Sequence, residues 1–239
     1  QTKNSIMKSI FKMLAIFGLA FGLNSCSEDQ QTSPPPTPRL FKYLALGDSY
    51  TYGQSVCETC RFPEQLKDSL GQYLTTADNF EIKLIAQTGW TTTNLKTAIA
   101  AQNPANDYNL VTLLIGVNNQ YQGKPFSLYE QEFPELVDIA IAKAGGNKNR
   151  VIVVSIPDYA YTPFGQGSVS ISEGVYQYNA FAKAYCESND ISYVYITDIT
   201  RLGLLQPELV ATDGLHPSTQ AYAQFVERIL PLAKTKLGL

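Results

Sequence analysis

The sequence predicts an α/β fold built on a buried parallel sheet, and three observations carry that reading. Short runs rich in Val, Ile, Leu and Tyr recur along the chain, several of them apolar on both faces, as strands covered on both sides require. Between them lie segments whose apolar residues recur at i, i+3 and i+4, the stripe of a helix with one buried side. The two kinds alternate, which sets parallel strands side by side through helical crossovers.

The first strand is expected at Phe41–Leu46, ended by Gly47, and others at Phe80–Ala86, Leu110–Ile115, Val151–Ile156 and Ser192–Ile196. Helices are expected at Phe62–Leu70, Asn94–Ala101, Leu128–Ala144, Gly174–Glu187 and Ser218–Leu232. Gly145-Gly146 closes the third of these. There is no internal repeat and no sign of a second domain.

At 239 residues and 44% hydrophobic content, the chain suits one domain of ordinary size with an N-terminal extension. The formal charge is −3 and no Lys/Arg cluster stands out, which speaks against a nucleic-acid partner. Residues 1–26 read as an export signal. Lys8 and Lys12 precede an uncharged stretch from Met13 to Ser27 that is shorter than the roughly 20 residues of a membrane span. Leu23-Asn24-Ser25-Cys26 resembles a bacterial lipobox, with Asn24 in place of the small or β-branched residue most common there. That resemblance implies lipidation at Cys26, and hence anchoring to the bacterial outer membrane, periplasmic or at the cell surface. Ser27-Glu28-Asp29 is similar to the acidic export tag of some Bacteroidetes surface lipoproteins. Residues 27–39 are polar and Pro-rich, a tether ahead of a domain spanning 40–239. The chain is expected to be monomeric.

In an exported chain, Cys57-Glu-Thr-Cys60 reads first as a local disulfide. A redox pair is the alternative, and a metal site lacks ligands, since the chain has one His. Cys186 reads as a buried small hydrophobe. No metal or cofactor is expected: His-Glu-x-x-His, Walker A and Gly-x-Gly-x-x-Gly motifs are absent, as is the Gly-x-Ser-x-Gly elbow.

In parallel α/β sheets ligands sit beyond the carboxyl ends of the strands. There the sequence places Gly47-Asp48-Ser49-Tyr50, Gln87-Thr88-Gly89-Trp90, Gly116-Val117-Asn118-Asn119, Pro157-Asp158-Tyr159 and Asp213-Gly214-Leu215-His216-Pro217. Singly, each is an ordinary turn; as an ordered set they fit one chemistry. A Ser hydroxyl needs a base to become a nucleophile, and His216 is the only imidazole in the chain. Asp213, three residues earlier, can hold the other ring nitrogen. Pro217 fits the first position of the C-terminal helix. Attack on an ester creates an oxyanion that needs placed donors, and the Ser49 and Gly89 N–H groups with the Asn118 amide could supply them.

These blocks resemble the SGNH (GDSL) hydrolase superfamily over about residues 41–235. The resemblance implies a flavodoxin-like three-layer α/β/α sandwich with a five-stranded parallel sheet in the order 2-1-3-4-5. It also implies metal-free hydrolysis of acyl or acetyl esters, with Ser49, Gly89, Asn118, Asp213 and His216 in the roles just given. The third block departs from the family's Gly-x-Asn-Asp: Asn119 stands where the Asp is usual, so any bracing by that Asp's charge is expected to be weaker.

Aromatic residues crowd the expected mouth: Tyr50, Tyr52, Trp90, Tyr121, Tyr159, Tyr161 and Phe164. With Asp48 and Asn119 they are the candidates to line the substrate. A small-molecule, carbohydrate or lipid ester fits, and a carbohydrate deacetylase leads. A lysophospholipase or thioesterase of the same fold is the alternative within the class. A non-catalytic surface binding lipoprotein is the alternative outside it.

Overall fold

The computed structural model describes residues 37–239. The expected signal segment, Cys26 and most of the 27–39 stretch lie outside the described residues. The sheet has five parallel strands: β1 (Leu40–Gly47), β2 (Asn79–Ala86), β3 (Leu110–Leu114), β4 (Val151–Val154) and β5 (Ser192–Val194). Their order is β2-β1-β3-β4-β5. β1 pairs with β2 from Leu40↔Asn79 and with β3 from Tyr43↔Leu110. The chain therefore moves outward in opposite directions from β1 and β3, and a crevice opens at their carboxyl ends.

Burial explains the strand runs. β3 and β4 are buried at every residue, which their Val/Leu/Ile content permits. The Tyr43 hydroxyl, buried on β1, hydrogen-bonds Thr112 Oγ1 on β3 at 2.8 Å, so the one polar atom it brings into the core is satisfied.

The main helices are α2 (Phe62–Gly71), α3 (Thr92–Gln102), α5 (Phe126–Lys143), α6 (Val169–Ser188) and α8 (Thr219–Leu237). α2 packs with α8 over one face of the sheet, and α5 packs with α3 and α6 over the other. Between α5 and α6 the rings of Phe126, Tyr129, Phe133, Tyr178 and Phe181 interlock, with Tyr129 and Tyr178 centroids 4.5 Å apart. Much of the chain's aromatic content thus serves core packing. At the end of α5, the Gly146 N–H donates back to Ile141 O at 2.9 Å, closing the helix where the glycine pair was expected to.

Three short helices, α1 (Ser49–Tyr52), α4 (Val117–Tyr121) and α7 (Thr197–Thr200), were not expected. Each directly follows a strand end. α6 begins five residues earlier than the apolar stripe suggests, because its first turn alternates apolar and Ser residues and none of them is fully buried. Pro217 is not the first residue of the last helix. Ser218 caps α8, accepting from the Ala221 N–H, and Pro217 instead bridges to Val210. Among the described residues, no helix is long and apolar enough to cross a membrane.

Candidate active site

Ser49 opens α1 at the end of β1. Asp48 caps that helix, its Oδ1 accepting the Tyr50 N–H at 3.0 Å. Beyond β2 the chain turns through Gly89, whose φ of +83° suits a residue without a side chain. Beyond β3, α4 carries Asn118. From the segment before α8 comes His216. Ser49, Tyr50, Gly89, Asn118, Tyr159 and His216 line one open cavity of about 190 Å³ at the crevice, with Tyr121 and Phe164 at its rim.

The Asp213–His216 turn is closed by its own atoms. Asp213 Oδ1 accepts the N–H groups of Leu215 and His216, both at 3.0 Å, and Oδ2 meets His216 Nδ1 at 2.6 Å. Gly214 holds φ +70°, the conformation that lets the carboxylate fold back under the ring. Ser55, from the loop after α1, donates its hydroxyl to the same Oδ2 at 2.6 Å. Burial pushes the Asp213 carboxyl up, but the bonds from Ser55 and His216 outweigh it and hold the group well below the usual carboxylate range. An ionised Asp213 fixes the proton on Nδ1 and leaves Nε2 free as a base. Ser49 and His216 share the cavity without a direct hydrogen bond, a looseness common before substrate tightens such a site.

The opposite wall is tied together by amides. Asn118 Nδ2 donates to Trp90 O at 3.1 Å, which leaves its second N–H unspent. Gln122 Nε2 donates to Gly89 O at 2.9 Å. The N–H groups of Ser49 and Gly89 donate to no other described residue. Asn119, one residue round the same helix, points inward and is fully buried. It clasps Thr92, accepting the Thr92 N–H at 2.9 Å and donating to Thr92 Oγ1 at 2.7 Å. The charge usual at this position is absent, and the amide braces the loop through two bonds.

Five residues expected to line the substrate do not. Tyr52 is exposed outside the cavity. Asp48 is fully buried beneath the nucleophile. Asn119 faces the core for the helical reason just given. Trp90 is half-buried against the core. Tyr161 lines a separate groove with Ser172, Tyr176 and Arg201, because two positions along a tight 3-10 turn (Tyr159–Tyr161) point to different sides. Tyr50 does line the cavity, its ring 5.3 Å from that of His216. So does Tyr159, whose hydroxyl donates to Gln120 Oε1 at 2.7 Å. Sequence reasoning missed Ser55, Thr92 and Glu132, which support the site from distant segments.

Cys57 and Cys60 form a disulfide in the loop beyond Ser55. Cys186 is buried, and desolvation pushes its thiol up to about 12. Among the described residues no group of three or more His, Cys, Asp or Glu could hold a metal ion.

The model of the GDSL-like lipase/acylhydrolase family matches residues 45–224. No curated protein matches. Among solved structures, the chain is similar to a member of the lipolytic G-D-S-L family from Veillonella parvula, at TM-score 0.63 and 16% identity, over 80% of this chain and 97% of that one. It is similar to a lipase from goat rumen metagenome at TM-score 0.64 and 15% identity, over 80% and 97%. It is also similar to a variant of an acetyl xylan esterase from Geobacillus stearothermophilus at TM-score 0.60 and 18% identity, over 81% and 94%. At these identities the likeness speaks to the fold.

Proposed function

The chain belongs to the GDSL-like lipase/acylhydrolase family of ester hydrolases, and we propose that it is a serine esterase acting on short-chain acyl esters through an acyl-enzyme. The observation that carries this reading is the shared cavity. Ser49 and an Asp213-bound His216 meet there with Gly89 and Asn118.

In this reading His216 Nε2 takes the Ser49 proton as Oγ attacks the ester carbonyl. The negative oxygen that forms is held by the Ser49 and Gly89 N–H groups and the spare Asn118 N–H. Collapse expels the alcohol, which takes its proton from the imidazolium. Water, activated by the same imidazole, then releases the acid and restores Ser49.

Cavity size supports the short acyl group. A cavity of about 190 Å³ has room for an acetyl or butyryl group with part of the alcohol. The rest of the alcohol must lie at the rim, where Tyr121 and Phe164 are half-exposed. Such rings can stack on the apolar face of a sugar, which makes an acylated carbohydrate the leading substrate. The apolar lining favours one second reading, an esterase for longer acyl chains.

The test is hydrolysis of p-nitrophenyl acetate, butyrate and longer esters by the wild type and Ser49→Ala. Turnover that depends on Ser49 and falls with chain length supports the proposal. Turnover rising with length supports the second reading. Equal rates in the two proteins would remove Ser49 from the chemistry.

A further inference from the structure

Behind the oxyanion wall runs a hydrogen-bond chain whose direction can be counted proton by proton. The Thr92 N–H must meet an oxygen, so Asn119 Oδ1 faces it and Nδ2 is the group that donates to Thr92 Oγ1. The Thr92 hydroxyl has a single proton, and it donates that proton to Glu132 Oε2 on α5. Thr93 Oγ1 donates to the same carboxylate, 2.9 Å from Oε1. Lys96 Nζ stands 3.5 Å from Oε1 and also pairs with Glu135. Glu132 and Asn119 are both buried.

The chain therefore runs one way, from amide to hydroxyl to carboxylate. A carboxylate at position 119 would still accept the Thr92 N–H, but its second oxygen would face Thr92 Oγ1 with nothing to donate. The Thr92 hydroxyl proton could then serve only one of two buried carboxylate oxygens, although Glu132 would keep Thr93 and Lys96. Either a proton is taken up between the two or the Thr92 clasp weakens.

The clasp bears on the site because Thr92 lies two residues beyond Trp90, which Asn118 holds, and three beyond Gly89. We infer that Asn119, Thr92 and Glu132 are positioning residues that set the Gly89 and Asn118 donors against each other, and that the charge of this chain must sit at position 132 and not at 119. The inference rests on the proposed oxyanion role of those donors.

Four proteins test it: the wild type, Asn119→Asp, Glu132→Gln and the double variant. kcat and KM on p-nitrophenyl acetate would be measured across pH, with Tm measured without substrate. Asn119→Asp should lower kcat at about pH 8 by roughly 10–100-fold with little change in KM, the scale of a displaced catalytic donor, and should lower Tm. Both losses should shrink in mild acid, where a carboxylate can accept the missing proton. In the double variant the amide introduced at position 132 can donate to Thr92 Oγ1, and the hydroxyl can turn to the carboxylate introduced at position 119. That reversed chain should recover most of the loss at about pH 8. A double variant as impaired as Asn119→Asp, or an Asn119→Asp protein matching wild type at that pH, would overturn the inference. The Tm comparison needs no turnover, so a wild type that hydrolyses nothing would count against the esterase reading and against positioning, while the direction of the chain would still be decided.

Discussion

On one side of the cavity Asp213 and His216 close on each other within a four-residue turn, and among the described residues Ser55 is the one distant side chain that hydrogen-bonds them. On the other side Gly89 and Asn118 come from separate strand ends and are held by Trp90 O, Gln122, Thr92, Asn119 and Glu132. The wall proposed for acid–base work is local and partly open, with the Asp213 side chain 30% exposed. The wall proposed to hold the oxyanion is long-range, and its brace is buried. A local turn keeps its geometry when its surroundings change. A brace across three elements transmits a change made far from the cavity.

The contrast breaks most sharply at Asp213. Asp213→Asn should leave the turn folded, since an amide oxygen can still accept the Leu215 and His216 N–H groups. It should nonetheless allow the wrong His216 tautomer, lowering kcat by roughly 10⁴-fold, the scale of that defect in a triad. A matching circular-dichroism spectrum beside the kinetics separates chemistry from folding; a loss of a few-fold would show that Asp213 does not orient the base. On the opposite wall, Asn118→Ala should cost about 10²–10³ in kcat with KM little changed. An effect on KM alone would make Asn118 a binding residue and not an oxyanion donor.

Much of the acid–base wall was legible in the sequence because it is local. Asp213 and His216 lie three apart, and His216 is the only imidazole. Ser55 was not legible: it lies 158 positions from its partner, and nothing in its neighbourhood marks it. Glu132 stands in α5 beside an apolar stripe, where a charge normally signals the solvent side. It is buried because two threonine hydroxyls and Lys96 meet its carboxylate. The same limit applies to the fold. β3 and β4 announced themselves by being apolar at every residue but Thr112, whereas α1, α4 and α7 have four or five residues each, too few for a helical period to show. The aromatic residues misled in part, because a ring in a core and a ring at a mouth look alike in sequence.

A smaller change is predicted beneath both walls. Asp48 is fully buried, and desolvation pushes its carboxyl up to about 7 from an ordinary 3.8. The folded protein thus holds this proton more tightly than the unfolded chain. Its contribution to stability is complete below the unfolded value and is lost as pH rises towards the folded one. Asp48→Asn keeps the acceptor for the Tyr50 N–H and removes the ionisation. Its advantage over wild type in unfolding free energy should open between about pH 4 and 7, at no more than about 1.4 kcal/mol per pH unit, with Tm following, and then level off. Parallel Tm curves would show that Asp48 is not held as a neutral acid.

Whether Ser49, activated by His216, is the nucleophile is decided most directly by covalent labelling. A fluorophosphonate reacts with a serine only when a base and an oxyanion site are both in place. Mass spectrometry of the treated protein should find one adduct, on the peptide holding Ser49, and none in His216→Ala. An unlabelled wild type, an adduct on another residue, or undiminished labelling of His216→Ala would contradict the assignment.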